Sequence, residues 1–211
     1  MKSTTATLLA LSLFLPTYAI HAADTQVRNH RFDASDIEEI SLDGGVGEMT
    51  IVRSAGDELV VELEIESERN WLGRHRDIDD IDVVFSRRGD RLHVEVNEND
   101  LDNLELNWRI ELPAVARTTV NLGVGQLVAE MGDTDLRVEL GVGEVRIEIP
   151  RQHTGRVDAS VGVGSISMDG VRDIVSRRAF VSESVYGYGD GVRDAHVDVG
   201  VGEISVVLKD S

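Results

Sequence analysis

The tripeptide Gly-Val-Gly occurs five times in this chain, and each copy lies within the same pattern of apolar residues. Counted from the central valine, apolar residues or a glycine lie four and two residues before it, and apolar residues lie three and five residues after it. An alternation with a period of two is typical of a β-strand with one buried face. The unit is therefore a structural repeat, whose copies begin at Gly45, Gly123, Gly141, Gly162 and Gly200.

The phase of this alternation changes across the second glycine of every copy. A strand that keeps one face toward a core through such a change must bend or bulge, and glycine permits the backbone angles that a bend needs. The repeat is thus predicted to be strand, glycine corner, strand. A Gly143→Val substitution at one corner is expected to cost about 1–3 kcal/mol. The central valines are expected to stack in one column, with the same core lined by Leu122, Leu140, Val161 and Val199.

The distances between copies indicate a coiled chain. Successive copies are separated by roughly 20 residues or by multiples of that length, which favours one turn per repeat. Gly187-Tyr188-Gly189 is interpreted as a poorer copy, after a strand expected over 180–185. Its spacing is irregular, so either an insertion shifts the register there or the last two segments form a hairpin.

Strand patterns of a different kind separate the first two copies. They lie at 59–65, 81–85, 92–96 and 106–112, and Arg88-Gly89-Asp90 is the expected turn between the middle two. Helix patterns are almost absent, with one helical turn conceivable at 100–106 and another at 171–176. The chain is predicted to be all-β, with a single β-strand-repeat domain over 24–211. Within it, 58–112 form a hairpin insertion and 117–208 form regular rungs.

The N-terminus has the pattern of a cleaved signal peptide over residues 1–23. Lys2 precedes an apolar run from Leu8 to Leu15, which is too short to span a bilayer, and Ala22 and Ala23 fit a cleavage site. No cysteine is present, which excludes disulfides and a lipid-anchored cysteine. The protein is therefore predicted to be periplasmic or secreted, not a lipoprotein, and without a membrane span after cleavage. A net charge of −18 argues against nucleic acid and anionic lipid as partners.

These repeats resemble a known family of bacterial envelope proteins. Strand–Gly-x-Gly–strand units after an export signal, with Ile110-Glu111-Leu112-Pro113 leading into them, are similar to the putative-adhesin or "toast-rack" family. The resemblance covers most of residues 38–208. It implies a right-handed β-solenoid or β-roll of stacked rungs with the hairpin region attached, and it implies no catalytic residues. An antiparallel β-sandwich is the alternative fold.

Sites that use glycine-rich sequence are excluded by the residues beside the glycines. A phosphate loop needs a lysine after its last glycine, and a dinucleotide fingerprint needs a third glycine and a following helix. The five copies have neither the lysine nor the third glycine, and a strand is predicted to follow each of them. At the aspartate position of a calcium-binding roll, this chain has core residues such as Met49 and Val145. No catalytic, cofactor-binding or metal-binding residue is predicted. The outward positions beside the corners are interpreted as a solvated stripe, made by Glu48, Gln126, Glu144, Ser165 and Glu203.

One concentrated basic and aromatic segment is the candidate partner-binding site. Exposed tryptophan beside arginine is common in recognition surfaces. The competing interpretation is an end cap in which the arginines pair with the acidic cluster that follows, Asp77, Asp79, Asp80 and Asp82. The candidate residues are Arg69, Trp71, Arg74, His75 and Arg76.

The sequence thus predicts a protein that is not an enzyme and has no cofactor. It is expected to be an exported envelope protein that acts as a β-repeat scaffold, an adhesin-like surface or a periplasmic binding module. Its partner would be an envelope polymer or protein. The alternative is a carbohydrate-active envelope enzyme, a lyase or hydrolase built on the β-solenoid. An enzyme of that class should have a concave groove with three or more close carboxylates or arginines, and a scaffold should not.

Overall fold

The computed structural model describes residues 24–67, 76–98 and 100–210, so the predicted signal peptide lies outside the described residues. Within these ranges the regular structure is entirely β, as predicted, and no helix long and apolar enough to cross a membrane is found there. The strands are β1 (Asp24–Asp33), β2 (Glu39–Asp43), β3 (Val46–Arg53), β4 (Glu58–Ser67), β5 (Val83–Arg88), β6 (Arg91–Val96), β7 (Leu104–Leu112), β8 (Arg117–Glu130), β9 (Asp135–Pro150), β10 (Thr154–Asp169), β11 (Arg172–Ala179), β12 (Ser182–Tyr188) and β13 (Arg193–Lys209).

The strands belong to one large, open sheet with both parallel and antiparallel pairs. Its main path runs β1-β4-β7-β3-β8-β9-β13-β10-β12-β11, while β5, β6 and β2 form a branch that joins β8. The path begins and ends on different strands, so the sheet is not closed. The five repeat units are consecutive in it and pair in parallel, which is not the arrangement of an antiparallel sandwich.

Each repeat unit bends at its Gly-Val-Gly and contributes to two halves of the sheet; the first unit is divided into β2 and β3, and each of the other four is one strand. The first half of β8 pairs with β2, and its second half pairs with β3. The units are in register at the bend, with Val46 beside Val124, Val124 beside Val142, Val142 beside Val201, and Val201 beside Val163. The predicted column of valines is confirmed.

The order of the units in the sheet differs from their order in the chain. The fifth copy, on β13, lies between the third on β9 and the fourth on β10. After β10 the chain forms the β11–β12 hairpin, and β12 pairs antiparallel with the first half of β10. Because β12 occupies one side of β10, only the opposite side is free to pair. β13 pairs with that side and so lies between β10 and β9. The expectation of one coil per repeat is wrong at this point, and Gly187-Tyr188-Gly189 is part of the hairpin.

The core lies on the inner face of both halves, and the valine column does not belong to it. Leu122, Leu140, Val161 and Val199 are at most 4% exposed, as expected for core residues. The central valines Val124, Val142, Val163 and Val201 are 46–48% exposed. Because the backbone turns at this point, the valine side chains lie on the outside of the corner. The expectation that they share the core is wrong.

The strands between the first two copies cover one end of the stack. β7 pairs in parallel with β3 and antiparallel with β4, and the β5–β6 hairpin attaches through β6 to β2. The four predicted strands of this region are present within a few residues of their expected bounds. The turn between β5 and β6 has Gly89 at a φ of 67°, as a tight turn requires. No helical turn is seen at the two predicted positions, where β7 and β11 begin instead.

Candidate functional site: an open groove along the glycines

The second glycines of the five copies form a column in which backbone touches backbone. Their φ angles lie between 131° and 150°, a region that side chains disfavour. A Cβ atom built on Gly125, Gly143, Gly202 or Gly164 would lie 1.7 Å from the carbonyl oxygen of the glycine on the preceding strand. Glycine is therefore required twice over at this position, by conformation and by contact.

The first glycines of the copies form a second column with the same close approach. A Cβ on Gly141 would lie 2.4 Å from the carbonyl oxygen of Gly123, and one on Gly200 or Gly162 would lie 2.6 Å from its neighbour. Around Gly123, Gly141, Gly162 and Gly200 the atoms nearest to an added Cβ are all backbone atoms, whereas the side chain of Leu101 lies over Gly45. The result is an open groove of about 880 Å³ that runs across the strands and is lined by Gly45, Gly123, Gly141, Gly162 and Gly200.

A row of polar side chains lines the groove three residues before each central valine. Asp43, Asn121, Glu139 and Asp198 lie side by side on β2, β8, β9 and β13, because the strands are in register. The half-exposed valines follow the groove glycines directly along each strand. The groove therefore offers backbone and polar side chains that repeat from strand to strand, about every 4.8 Å, and the half-exposed valines lie next to it.

Each carboxylate of this row has a basic partner. Glu139 is 2.8 Å from Arg137, and Asp198 is 2.8 Å from His196, each partner lying two residues earlier on the same strand. Asp43 is 3.4 Å from His93 of β6. Three carboxylates do line one groove, as expected of a carbohydrate-active enzyme. A general acid, however, needs a carboxyl group kept protonated in an apolar, unpaired setting.

Most of the candidate partner-binding segment lies outside the described residues. The residues concerned are Arg69, Trp71, Arg74 and His75. Arg76 is described, and its side chain is held by carboxylates, with Glu98 at 2.8 Å and Asp100 at 3.7 Å. Its backbone NH also donates to Ser67 Oγ at 2.8 Å. These contacts make Arg76 a link between the end of β4 and the segment before β7, and they differ from the expected end cap, in which the arginines pair with the acidic cluster.

The acidic cluster after this segment contacts the edge strand β1 and not Arg76. Gln26 donates to the Asp79 carboxylate, and His30 is 2.7 Å from Asp82. Burial opposes ionisation of Asp82, but hydrogen bonds from His30 and from the Val83 NH outweigh it, so the pKa of Asp82 is lowered. The cluster therefore fastens β1 and the chain before β5 to each other.

Two further groups of polar side chains lie on the outer surface. The predicted stripe beyond the corners is in register, and Gln126 donates to Glu144 at 3.2 Å. The second group was not predicted from the sequence. Asp43, His93 and Glu95 come together on β2 and β6, with their ligand atoms within 4.8 Å of one another. The His-x-Glu spacing was a usable signal, since residues two apart share a strand face, but the contribution of Asp43 depends on pairing between distant strands.

Comparison with known proteins identifies a likeness of fold. No family model and no curated protein matches the chain. A "putative cell adhesion protein" from Clostridium sporogenes is 17% identical, with a TM-score of 0.53, over 88% of this chain and 100% of its own. A "putative adhesin" from Bacteroides fragilis is 12% identical over 86% of this chain and 97% of its own, and its TM-score of 0.24 does not establish a common fold. The likeness to the Clostridium sporogenes protein shows a similar fold only.

Proposed function

We propose that this protein is a non-catalytic, adhesin-like module of the bacterial cell envelope, which binds an extended polymer along the glycine groove. The observation that carries the proposal is the groove itself, a floor of bare backbone beside a row of carboxylates that already have basic partners. Such a surface can hold a ligand at several equivalent points without an acid–base pair.

The form of the groove favours a long ligand. Its lining repeats across neighbouring strands, so a polymer lying across the strands could make the same contact several times, and each repeat would add to the affinity. The carboxylates of Asp43, Glu139 and Asp198 accept hydrogen bonds. The half-exposed valines next to the groove offer apolar surface at its margin. A polysaccharide that carries amino or hydroxyl groups has the matching chemistry.

The proposed location in the cell envelope is supported by the sequence and by the structural neighbour. The predicted signal peptide supports export to the periplasm or beyond, and the neighbour's description as a cell adhesion protein supports a surface role. The parallel, in-register rungs support a solenoid-like scaffold in which the backbone keeps the groove rigid.

Retention on polysaccharide beads tests the proposal. The purified chain from residue 24 onward is applied to beads of chitosan, which carries amines, and to beads of cellulose, which carries hydroxyls. We expect retention on at least one of them, and we expect Glu139→Lys with Asp198→Lys to reduce it at least about tenfold, since charge contacts are reversed in the middle of the groove.

The matched control is Asp36→Lys with Glu62→Lys, which makes the same change in charge at exposed carboxylates outside the groove. Equal loss in the control pair would show that net charge governs binding, and equal retention in both pairs would show that the groove is not the contact surface. Either result contradicts the proposal.

An envelope carbohydrate-active enzyme is the second candidate, because three carboxylates line the groove. Release of new reducing ends from the same polysaccharides during long incubation would favour the enzyme. Loss of that release in Glu139→Gln or Asp198→Asn would assign it to the groove.

A further inference from the structure

We propose that Asp43, His93 and Glu95 form a binding site for a four-coordinate divalent cation of the zinc type. The site lies on the outer face of the sheet, where β2 and β6 run in parallel. It shares Asp43 with the groove, but not Glu139 or Asp198, whose substitutions test the proposed function, so the two proposals can fail separately.

The strand geometry brings the three side chains to one face. His93 and Glu95 are two residues apart on β6, so both point outward. Leu42 of β2 pairs with Val94, and each is 1% exposed, so Asp43 follows on the same outer face as His93 and Glu95. Two ligands thus come from β6 and the third from β2. The buried Leu42 and Val94 fix the register between these two strands and so the positions of the three ligands.

The two separations between the histidine and the carboxylates suit a shared metal ion better than hydrogen bonds. His93 Nε2 is 3.4 Å from Asp43 Oδ2 and 3.4 Å from Glu95 Oε2. Hydrogen bonds between such groups are about 2.7–3.2 Å long. Two ligands bound tetrahedrally at about 2.0–2.1 Å from zinc are separated by about 3.3–3.4 Å. The imidazole therefore stands at the expected ligand distance from both carboxylates.

The distances around His93 differ from the distance in a hydrogen-bonded histidine–carboxylate pair elsewhere on the same sheet. His196 and Asp198 have the same spacing along β13, but their atoms are 2.8 Å apart, the length of a hydrogen-bonded pair. His93 stands between two carboxylates, and the nearby Arg91 is paired with Glu39 at 3.2 Å. The cluster thus has two negative charges around one imidazole, which attracts a cation.

The ligand set and its exposure indicate the kind of ion and the state of the site. One imidazole and two carboxylates suit zinc better than calcium or magnesium, which prefer oxygen ligands alone. The three side chains are between 35% and 46% exposed, so a fourth position would be open to water or to an atom of a partner.

Titration of the metal-depleted chain with Zn²⁺ by calorimetry tests the site. We expect one ion per chain, and we expect His93→Ala, Asp43→Asn and Glu95→Gln each to weaken binding by at least about tenfold, since even outer partners of a metal ligand contribute that much. His196→Ala is the control, and it should leave the affinity unchanged. A loss in His196→Ala as large as that in His93→Ala, or no stoichiometric binding by the unmodified chain, would overturn the proposal.

Cobalt provides a test that does not depend on how well the variants fold. Co²⁺ added to the unmodified chain should give the strong visible absorption of four-coordinate cobalt, and Zn²⁺ should displace it. Weak absorption typical of six-coordinate cobalt would contradict the inferred geometry.

Discussion

At the scale of single residues, the second glycine of each repeat determines whether the strands can stack. Gly143 has a φ of 142°, and its Cα faces the carbonyl oxygen of Gly125 so closely that a methyl group has no room. Conformation alone led to an expected cost of about 1–3 kcal/mol for a side chain here. The contact with the neighbouring strand adds a second cost that the sequence did not reveal.

We therefore expect Gly143→Ala to lower the free energy of unfolding by about 2–6 kcal/mol, the sum of backbone strain and overpacking. Urea unfolding of the variant measures this. The control is Gly56→Ala, where no atom lies within 4 Å of the added Cβ, and it should change stability by less than about 0.5 kcal/mol. Similar shifts in the two variants would contradict the stacked-glycine interpretation.

At the scale of elements, the β11–β12 hairpin covers only half of the last edge of the stack. The first half of β10 pairs with β12, but within the described residues its second half pairs with β13 alone. Glu183 of β12 accepts a hydrogen bond from the Ile166 NH on this free edge at 3.3 Å. It also accepts from Arg178 at 2.7 Å and Ser176 at 3.2 Å. A charge placed against an open edge discourages further strands from pairing there.

This contact makes a contribution to stability that depends on pH. The hydrogen bond from Arg178 lowers the pKa of Glu183 below its usual value of 4.5, against the opposing effect of burial. A group with a lower pKa in the folded state stabilises the fold fully above its unfolded pKa, and this contribution is lost as pH falls through the folded pKa.

We expect Glu183→Gln to cost about 1.5–3 kcal/mol at pH 7, the usual contribution of hydrogen bonds to a charged group. The difference from the unmodified chain should narrow between pH 5 and pH 3, as the native carboxylate becomes protonated. Urea unfolding at each pH measures it, with Glu203→Gln as the control at an exposed stripe position. A difference that stays constant over this range would show that the charge of Glu183 is not what stabilises the hairpin.

At the scale of the whole molecule, one core runs along the inner faces of both halves of the sheet. Leu140 and Val145 lie on either side of the corner of β9, and both belong to this core. The exposed valines lie outside it. The core therefore binds the two halves together, while the corner supports the surface of the groove.

Truncation at two positions of the same strand should separate the core from the corner. We expect Leu140→Ala, at 3% exposure, to cost about 2–5 kcal/mol, because it leaves a cavity. Val142→Ala, at 46% exposure, should cost less than about 1 kcal/mol. Thermal melting of both variants checks this. A larger loss in Val142→Ala would place the valine column in the core after all.

The sequence by itself determined the local units and their manner of pairing. The period of two, and the change of phase at Gly47, Gly125, Gly143, Gly164 and Gly202, predicted bent strands in register, and the structure has them. The strands between the first two copies could also be predicted. These features depend on residues close together in the chain, where side-chain alternation and glycine conformation leave a direct trace.

Only the tertiary structure decided the place of β13 between β9 and β10, the edge strands β1 and β11, and the meeting of Asp43 with His93 and Glu95. β11 is exposed on both faces, so no alternation indicates it. The place of β13 follows from which side of β10 the hairpin covers, and the cluster follows from pairing between strands far apart in the chain. Strand order and pairing between distant strands depend on which edges remain free after the other strands have paired. No local pattern of residues predicts them.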